Sequence, residues 1–152
     1  LDSNLRQTLR AAERIKSRKV FEILFERGKS VKAKGIKAIW LITSERLEPF
    51  PGQVPASNAN PEVRVAFVAP KKLYRLAVER NRAKRQLREA YRLQKQLIPE
   101  LPNADWHLYI LFIYTTRPLK TTPQVASGVA TCLATISRTI LAEVVTNTIS
   151  ES

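Results

Sequence analysis

Ala77-Val-Glu-Arg-Asn-Arg-Ala-Lys-Arg-Gln-Leu-Arg-Glu-Ala-Tyr-Arg92 is the stretch on which the fold turns. At about 100° per residue, Ala83, Leu87, Ala90 and Tyr91 gather on one side of a helix. Asn81, Lys84, Arg85, Arg88, Arg92 and Lys95 lie roughly opposite, with Arg82 and Glu89 on the flank. A helix divided this way docks its apolar stripe on a sheet and turns a row of cations outward. The pattern predicts a helix from about Ala77 to Gln96 that stops before Pro99 and Pro102. Arg80 falls near the apolar edge, so its stem is expected to pack on the core while its head anchors locally.

Outward from this helix, the neighbouring segments supply the sheet. Val63 to Ala69 alternates as a half-buried strand does, and Ile36 to Thr43 is rich in β-branched and aromatic residues. Trp106 to Thr116 is almost continuously apolar, as a central strand covered on both faces would be. Ser17 to Gly28 reads as a short first helix, with Ser17 as N-cap and Gly28 ending it. Thr122-Pro123 reads as the cap and first turn of a final helix reaching about Val145, followed by an acidic tail, 143–152. Between the first strands, Glu48 to Pro61 holds Pro49, Pro51, Gly52, Pro55 and Pro61. Such a segment is expected to be a mobile, dispensable loop. The order is helix, two or three strands, basic helix, buried strand, helix, within one domain over 1–152.

The charge is placed unevenly. The chain carries 26 Lys and Arg against 13 Asp and Glu, a net charge of +13. Residues 1–37 hold 11 of those cations against 4 anions, and residues 71–95 hold 10 against 2, while the remaining stretches are each slightly acidic. Two basic surfaces follow, and a polyanionic partner is the simplest reason to tolerate the self-repulsion. Solvated helix faces mix signs through i,i+4 pairs, whereas the basic helix sets only Glu79 and Glu89 against its cations and the nearby Lys71 and Lys72. Arginine suits phosphate because its planar fork makes paired hydrogen bonds and stays charged. With Cys132 as the sole cysteine, no intramolecular disulfide can form, which permits a reducing cytosol. No run of about 18 apolar residues appears, and Leu1 to Arg10 lacks the apolar centre of a signal peptide, so a soluble, unexported protein is expected. The lack of any Met, even at position 1, suggests a trimmed form of the translated product.

Val68-Ala-Pro-Lys-Lys72 followed by the Arg80-Asn81-Arg82 helix resembles the signature of the bacterial ribonuclease P protein family, with Lys84, Arg85, Arg88 and Glu89 at the family spacing. Val20 to Ser30 resembles the family's first helix, with two Phe residues four apart and then Gly. About residues 15–117 are covered. The resemblance implies an α+β fold, a single α/β sandwich in the order αβββαβα. It would be like domain 2 of ribosomal protein S5, with a left-handed βαβ crossover. It implies a ribonucleoprotein endonuclease that removes the 5′ leader of precursor tRNA, in which the RNA subunit and its Mg²⁺ ions cut the bond. The chain then contributes no catalytic residue and no bound cofactor of its own, with Mg²⁺ held mainly by the RNA subunit. The implied partners are ribonuclease P RNA and precursor tRNA, in a 1:1 complex with a monomeric protein, in the cytoplasm and away from membranes. Carried over by position, the RNA-subunit surface would be Lys71, Lys72, Arg80, Asn81, Arg82, Lys84, Arg85, Arg88 and Arg92. The leader cleft would hold Phe21, Phe25 and Trp40.

Taken by themselves, Phe21 and Phe25 read as core residues, and it is the resemblance that turns them toward the leader groove. Trp40 carries a one-residue ambiguity with Ile39, and a slip by one reverses its face. Lys29, Lys32, Lys34 and Lys37 either guide phosphates or keep a loop soluble. His107 lies in an apolar strand without a second ligand, so it is expected to be structural. Four Gly and one His assemble neither a phosphate loop nor a hydrolytic triad. Glu79 and Glu89 are too far apart to share a metal and are expected to pair with arginines. A leucine-zipper basic region needs apolar heptads after the arginines, which Pro99 and Pro102 preclude. A structural ribosomal protein is the remaining alternative.

Overall fold

The computed structural model describes residues 14–43, 63–98, 106–116 and 120–151. The Pro-rich stretch 48–61, together with Pro99 and Pro102, lies outside them. The elements are α1 (Arg18–Arg27), β1 (Lys29–Ala33), β2 (Ile36–Thr43), β3 (Val63–Val68), α2 (Ala77–Gln94), a 3₁₀ turn (Lys95–Leu97), β4 (His107–Tyr114) and α3 (Thr122–Glu151). The order is αβββαβα. In the four-stranded sheet the strands lie β1-β2-β4-β3. β2 pairs antiparallel with β1 and β4, and β3 pairs parallel with β4, so α2 forms the crossover between the parallel strands.

The two faces of the sheet have separate cores. On one, Ile36, Ala38, Trp40, Val65, Leu108, Ile110 and Phe112 pack with the inner sides of α2 and α3. On the other, Ile39, Ala66, Tyr109 and Leu111 pack with Ile15, Val20 and Leu24 of the α1 segment. β4 is buried on both faces, which accounts for its unbroken apolar sequence. The buried residues of α2 are Ala83, Leu87, Ala90 and Tyr91, the stripe that the helical periodicity marks.

Local details differ from expectation. Lys29–Ala33 is a strand: Lys34 and Gly35, with φ of 50° and 82°, make the tight turn of a β1-β2 hairpin. Four lysines in nine residues hide the alternation, since only Val31 and Ala33 pack toward the core. Ser17 occupies the N-cap of α1 without a side-chain hydrogen bond, and Gly28 ends the helix in an extended conformation. What requires glycine there is space, because a Cβ would come within 2.7 Å of Ile39 Cγ2 and also meet the Leu24 carbonyl. The cap of α3 is Thr121, one residue before the expected Thr122. Gln124 N–H donates to Thr121 Oγ1 (3.4 Å) and Thr121 N–H donates to Gln124 Oε1 (2.9 Å), a reciprocal capping box. α2 gives way to the 3₁₀ turn after Gln94, and α3 continues past Val145 to Glu151, through nearly all of the expected tail. Thr122–Glu143 is long and apolar enough, by length and composition, to cross a membrane. Its stripe of Val125, Val129, Cys132, Leu133, Ile136 and Ile140 is buried in the core.

Candidate functional site

α2 is seated by polar contacts as well as by its apolar stripe. Gln86 Nε2 donates to the Lys120 carbonyl (2.8 Å), Tyr114 Oη donates to Gln86 Oε1 (3.1 Å), and Lys120 N–H donates back to Tyr114 Oη (2.7 Å). Burial pushes the Tyr114 phenol above its ordinary pKa, which keeps its proton available for Gln86. Gln94 Nε2 reaches the Ala126 carbonyl of α3 (3.0 Å). Three elements thus fix how far α2 is rotated about its axis, and with it the direction of the cations.

At the start of α2, the Arg80 guanidinium donates to the carbonyls of Tyr74 (3.0 Å) and Arg75 (2.7 Å). Its head is therefore tied to its own loop, as its place on the wheel implied, and it braces the turn rather than extending outward. Asn81, Arg82 and Arg85 are exposed, while Lys84, Arg88 and Arg92 are half-buried along the same helix. Lys71 and Lys72 are exposed in the turn that Pro70 closes by accepting from the N–H groups of Leu73 and Tyr74. Arg92 makes a two-pronged ion pair with Glu89, Nε to Oε2 and Nη2 to Oε1, each at 2.9 Å. The hydrogen bond from Arg92 holds the Glu89 carboxyl below its ordinary range, with the charges of Arg92 and Arg88 adding to it. Glu89 thus pairs with an arginine as expected. Of the cations that the resemblance assigns to the RNA subunit, Arg82 and Arg85, with Lys71 and Lys72, are the exposed ones.

The second surface lies on the α1 face of the sheet. Phe21 packs at the margin of that core with Leu41, Val68 and Ile113, all half-buried. Phe25, one turn on, is 62% exposed, which a core role does not explain. Trp40 does not join them. It is buried to 3% exposure on the opposite face, among residues under α2 and α3, and Ile39 is the β2 residue beneath α1. Alternation along β2 decides this: Ile36, Ala38 and Trp40 share one side, so the placing of Trp40 with Phe21 and Phe25 is corrected, and Ile39 is the residue that takes the α1 side.

The lysines of the hairpin also divide. Lys29 forms an ion pair with Glu143 of α3 and lies 5.4 Å from the Trp40 ring centre, and Lys34 donates to Ser127 Oγ of α3. Lys32 and Lys37 are directly paired across β1 and β2 on the α1 face. His107, at the start of β4, is half-buried and 6.5 Å from the Tyr109 ring. Among the described residues no three His, Cys, Asp or Glu side chains come together as a metal site. Sequence reasoning did not find the Tyr114–Gln86–Lys120 seat or the Val68–Ile113 pair, because both depend on the strand order β2-β4-β3.

A family model described as Ribonuclease P matches residues 9–133. A ribonuclease P protein component from Chlorobium phaeobacteroides is 31% identical over 114 residues, 70% of this chain and 72% of that protein. One from Chlorobaculum tepidum is 42% identical over 60 residues, 36% of this chain, which spans 39% of that relative's length. Among solved structures, an RNase P protein from Thermotoga maritima superposes with a TM-score of 0.57 at 22% identity, over 80% of this chain and 96% of that one. The RNase P protein of Staphylococcus aureus gives 0.55 at 23%, over 80% and 92%. At such identities the likeness is one of fold.

Proposed function

Because the chain belongs to the ribonuclease P protein family, we propose that it binds ribonuclease P RNA through the exposed side of α2 and the 5′ leader of precursor tRNA through the α1 face. The observation that carries this reading is the arginine side of α2. Exposed Arg82 and Arg85 lie on a helix whose rotation is fixed by Gln86 and Gln94, and exposed Lys71 and Lys72 lie in the turn that leads into it. Fixed guanidinium groups read the spacing of phosphates, and they do so without meeting any base edge. Of the positions implied by the resemblance, Arg80 acts by bracing the 74–76 loop, and Arg92 is partly neutralised by Glu89. Phe25, exposed on α1, suits a single strand of variable sequence, since every base offers a face for stacking.

In this reading the RNA subunit and the Mg²⁺ it binds supply the chemistry of cleavage. The chain binds, orients and screens charge, as one protein per RNA in the cytoplasm. The zipper alternative is disfavoured by the seating of α2, whose Leu87 and Tyr91 are buried against the sheet and unable to dimerise with a second helix. The test is reconstitution: the chain added to bacterial ribonuclease P RNA at low Mg²⁺ should restore precursor cleavage. Folded protein that leaves cleavage at the level of RNA alone would refute the proposal.

A further inference from the structure

We infer that Lys37 and Lys32 continue the leader track across the sheet, binding phosphates of leader nucleotides beyond those that stack on the phenylalanines. This rests on the leader reading above and extends it to the β1 edge. The registers align Val68 with Ile113, Ile113 with Lys37, and Lys37 with Lys32, so one residue from each of the four strands forms a single row. At the usual strand spacing the row is about 14 Å long. Directly paired residues share a face. That face is the one bearing α1, because Val31 and Ala33, which flank Lys32, pack with the other core, and because Ile39, next but one to Lys37, lies beneath α1.

The next row, Ala66, Leu111 and Ile39, is buried, whereas Val68, Ile113 and Lys37 are half-buried and Lys32 is exposed. An open shelf results, apolar over β3 and β4 and cationic over β2 and β1. Two like charges directly opposite one another destabilise a hairpin, and among the described residues neither lysine has an acidic partner. Protection of a sheet edge explains a lysine on β1. It does not explain Lys37, which is on an interior strand. An anion laid along the row removes the repulsion, and a single-stranded leader fits both halves of the shelf, with base or sugar over Val68 and Ile113 and phosphate over the lysines.

The experiment uses the chain assembled with ribonuclease P RNA and two precursors, one with a long leader and one with a single leader nucleotide. Lys32→Gln and Lys37→Gln together should weaken affinity for the long-leader precursor and leave the one-nucleotide precursor unaffected. The salt slope for the long leader should fall by about 1.4, at ~0.7 per neutralised phosphate on a single strand. Lys37→Arg should retain wild-type behaviour, and Lys29→Gln, which removes one positive charge from the other face, should leave the difference between precursors intact. Equal losses for both precursors, or no loss for either, would overturn the inference while leaving the α2 surface and the phenylalanines untouched. If the unsubstituted assembly did not distinguish the precursors at all, the leader reading itself would fall.

Discussion

Single side chains on each surface differ in what they do, and substitution separates them. Phe25 is exposed, so Phe25→Ala should barely change stability, within ~0.5 kcal/mol as surface substitutions usually are, yet reduce affinity for a leader-bearing precursor. The stacking of one base is worth about 1–3 kcal/mol. Comparing precursor with mature tRNA checks this, and equal weakening for both would assign the residue to another role. Gly28→Ala should destabilise the chain by about 1–3 kcal/mol in urea unfolding, the usual cost of forcing a methyl into a packed interior, because the added Cβ meets Ile39 and the Leu24 carbonyl. Burial pushes the Cys132 thiol up to about 11, so at neutral pH it should resist alkylation until the chain unfolds. Which of these roles the sequence reveals depends on periodicity. Phe21 and Phe25 stand out at helical spacing, but the side taken by Trp40 needs a strand register that a one-residue ambiguity leaves undetermined. The steric reason for Gly28 lies on β2, eleven residues away at Ile39.

Among elements, α2 was the most legible and β1 the least. The four buried residues of α2 are those its wheel selects, because a long helix repeats its apolar signal several times. β1 has five residues, and with Lys29 on the core-facing side only Val31 and Ala33 carry the signal. As a surface, α2 is expected to act through its summed charge. Arg82, Arg85 and Arg88 replaced together by Ala should weaken assembly with the RNA and flatten its salt dependence, by about 0.9 in slope for each duplex phosphate that is no longer neutralised. An unchanged slope in filter binding would place the RNA elsewhere. Glu89→Gln should do the reverse and strengthen RNA binding at low salt, because it releases Arg92. The carboxyl's pKa is lowered in the fold, so the pair contributes above the unfolded value and its contribution disappears as pH falls through the folded one. Glu89 is exposed and Arg92 only half-buried, so solvent screens the pair and its effect on stability is small.

Across the whole molecule, the two surfaces belong to helices on opposite faces of one sheet, and the chain passes between them at the end of β3. Val68 lies in the open row, Lys71 and Lys72 follow in the turn, and α2 begins at Ala77. The parallel pairing of β3 with β4 could be anticipated from the helix between two strands, whereas the placement of β2 beside β4 could not be read from either strand alone. That topology inserts the most basic helix of the chain into the connection that completes the sheet. Parallel strands meet only after their crossover is in place, so the repulsion among the α2 cations opposes the closing of the fold itself. A polyanion that binds the folded chain is by linkage a stabiliser. The melting temperature should therefore climb as ribonuclease P RNA is titrated in, and the refolding rate should increase if the anion engages α2 before β4 docks. The RNA would then be a participant in the maturation of its own protein subunit, as well as its partner afterwards.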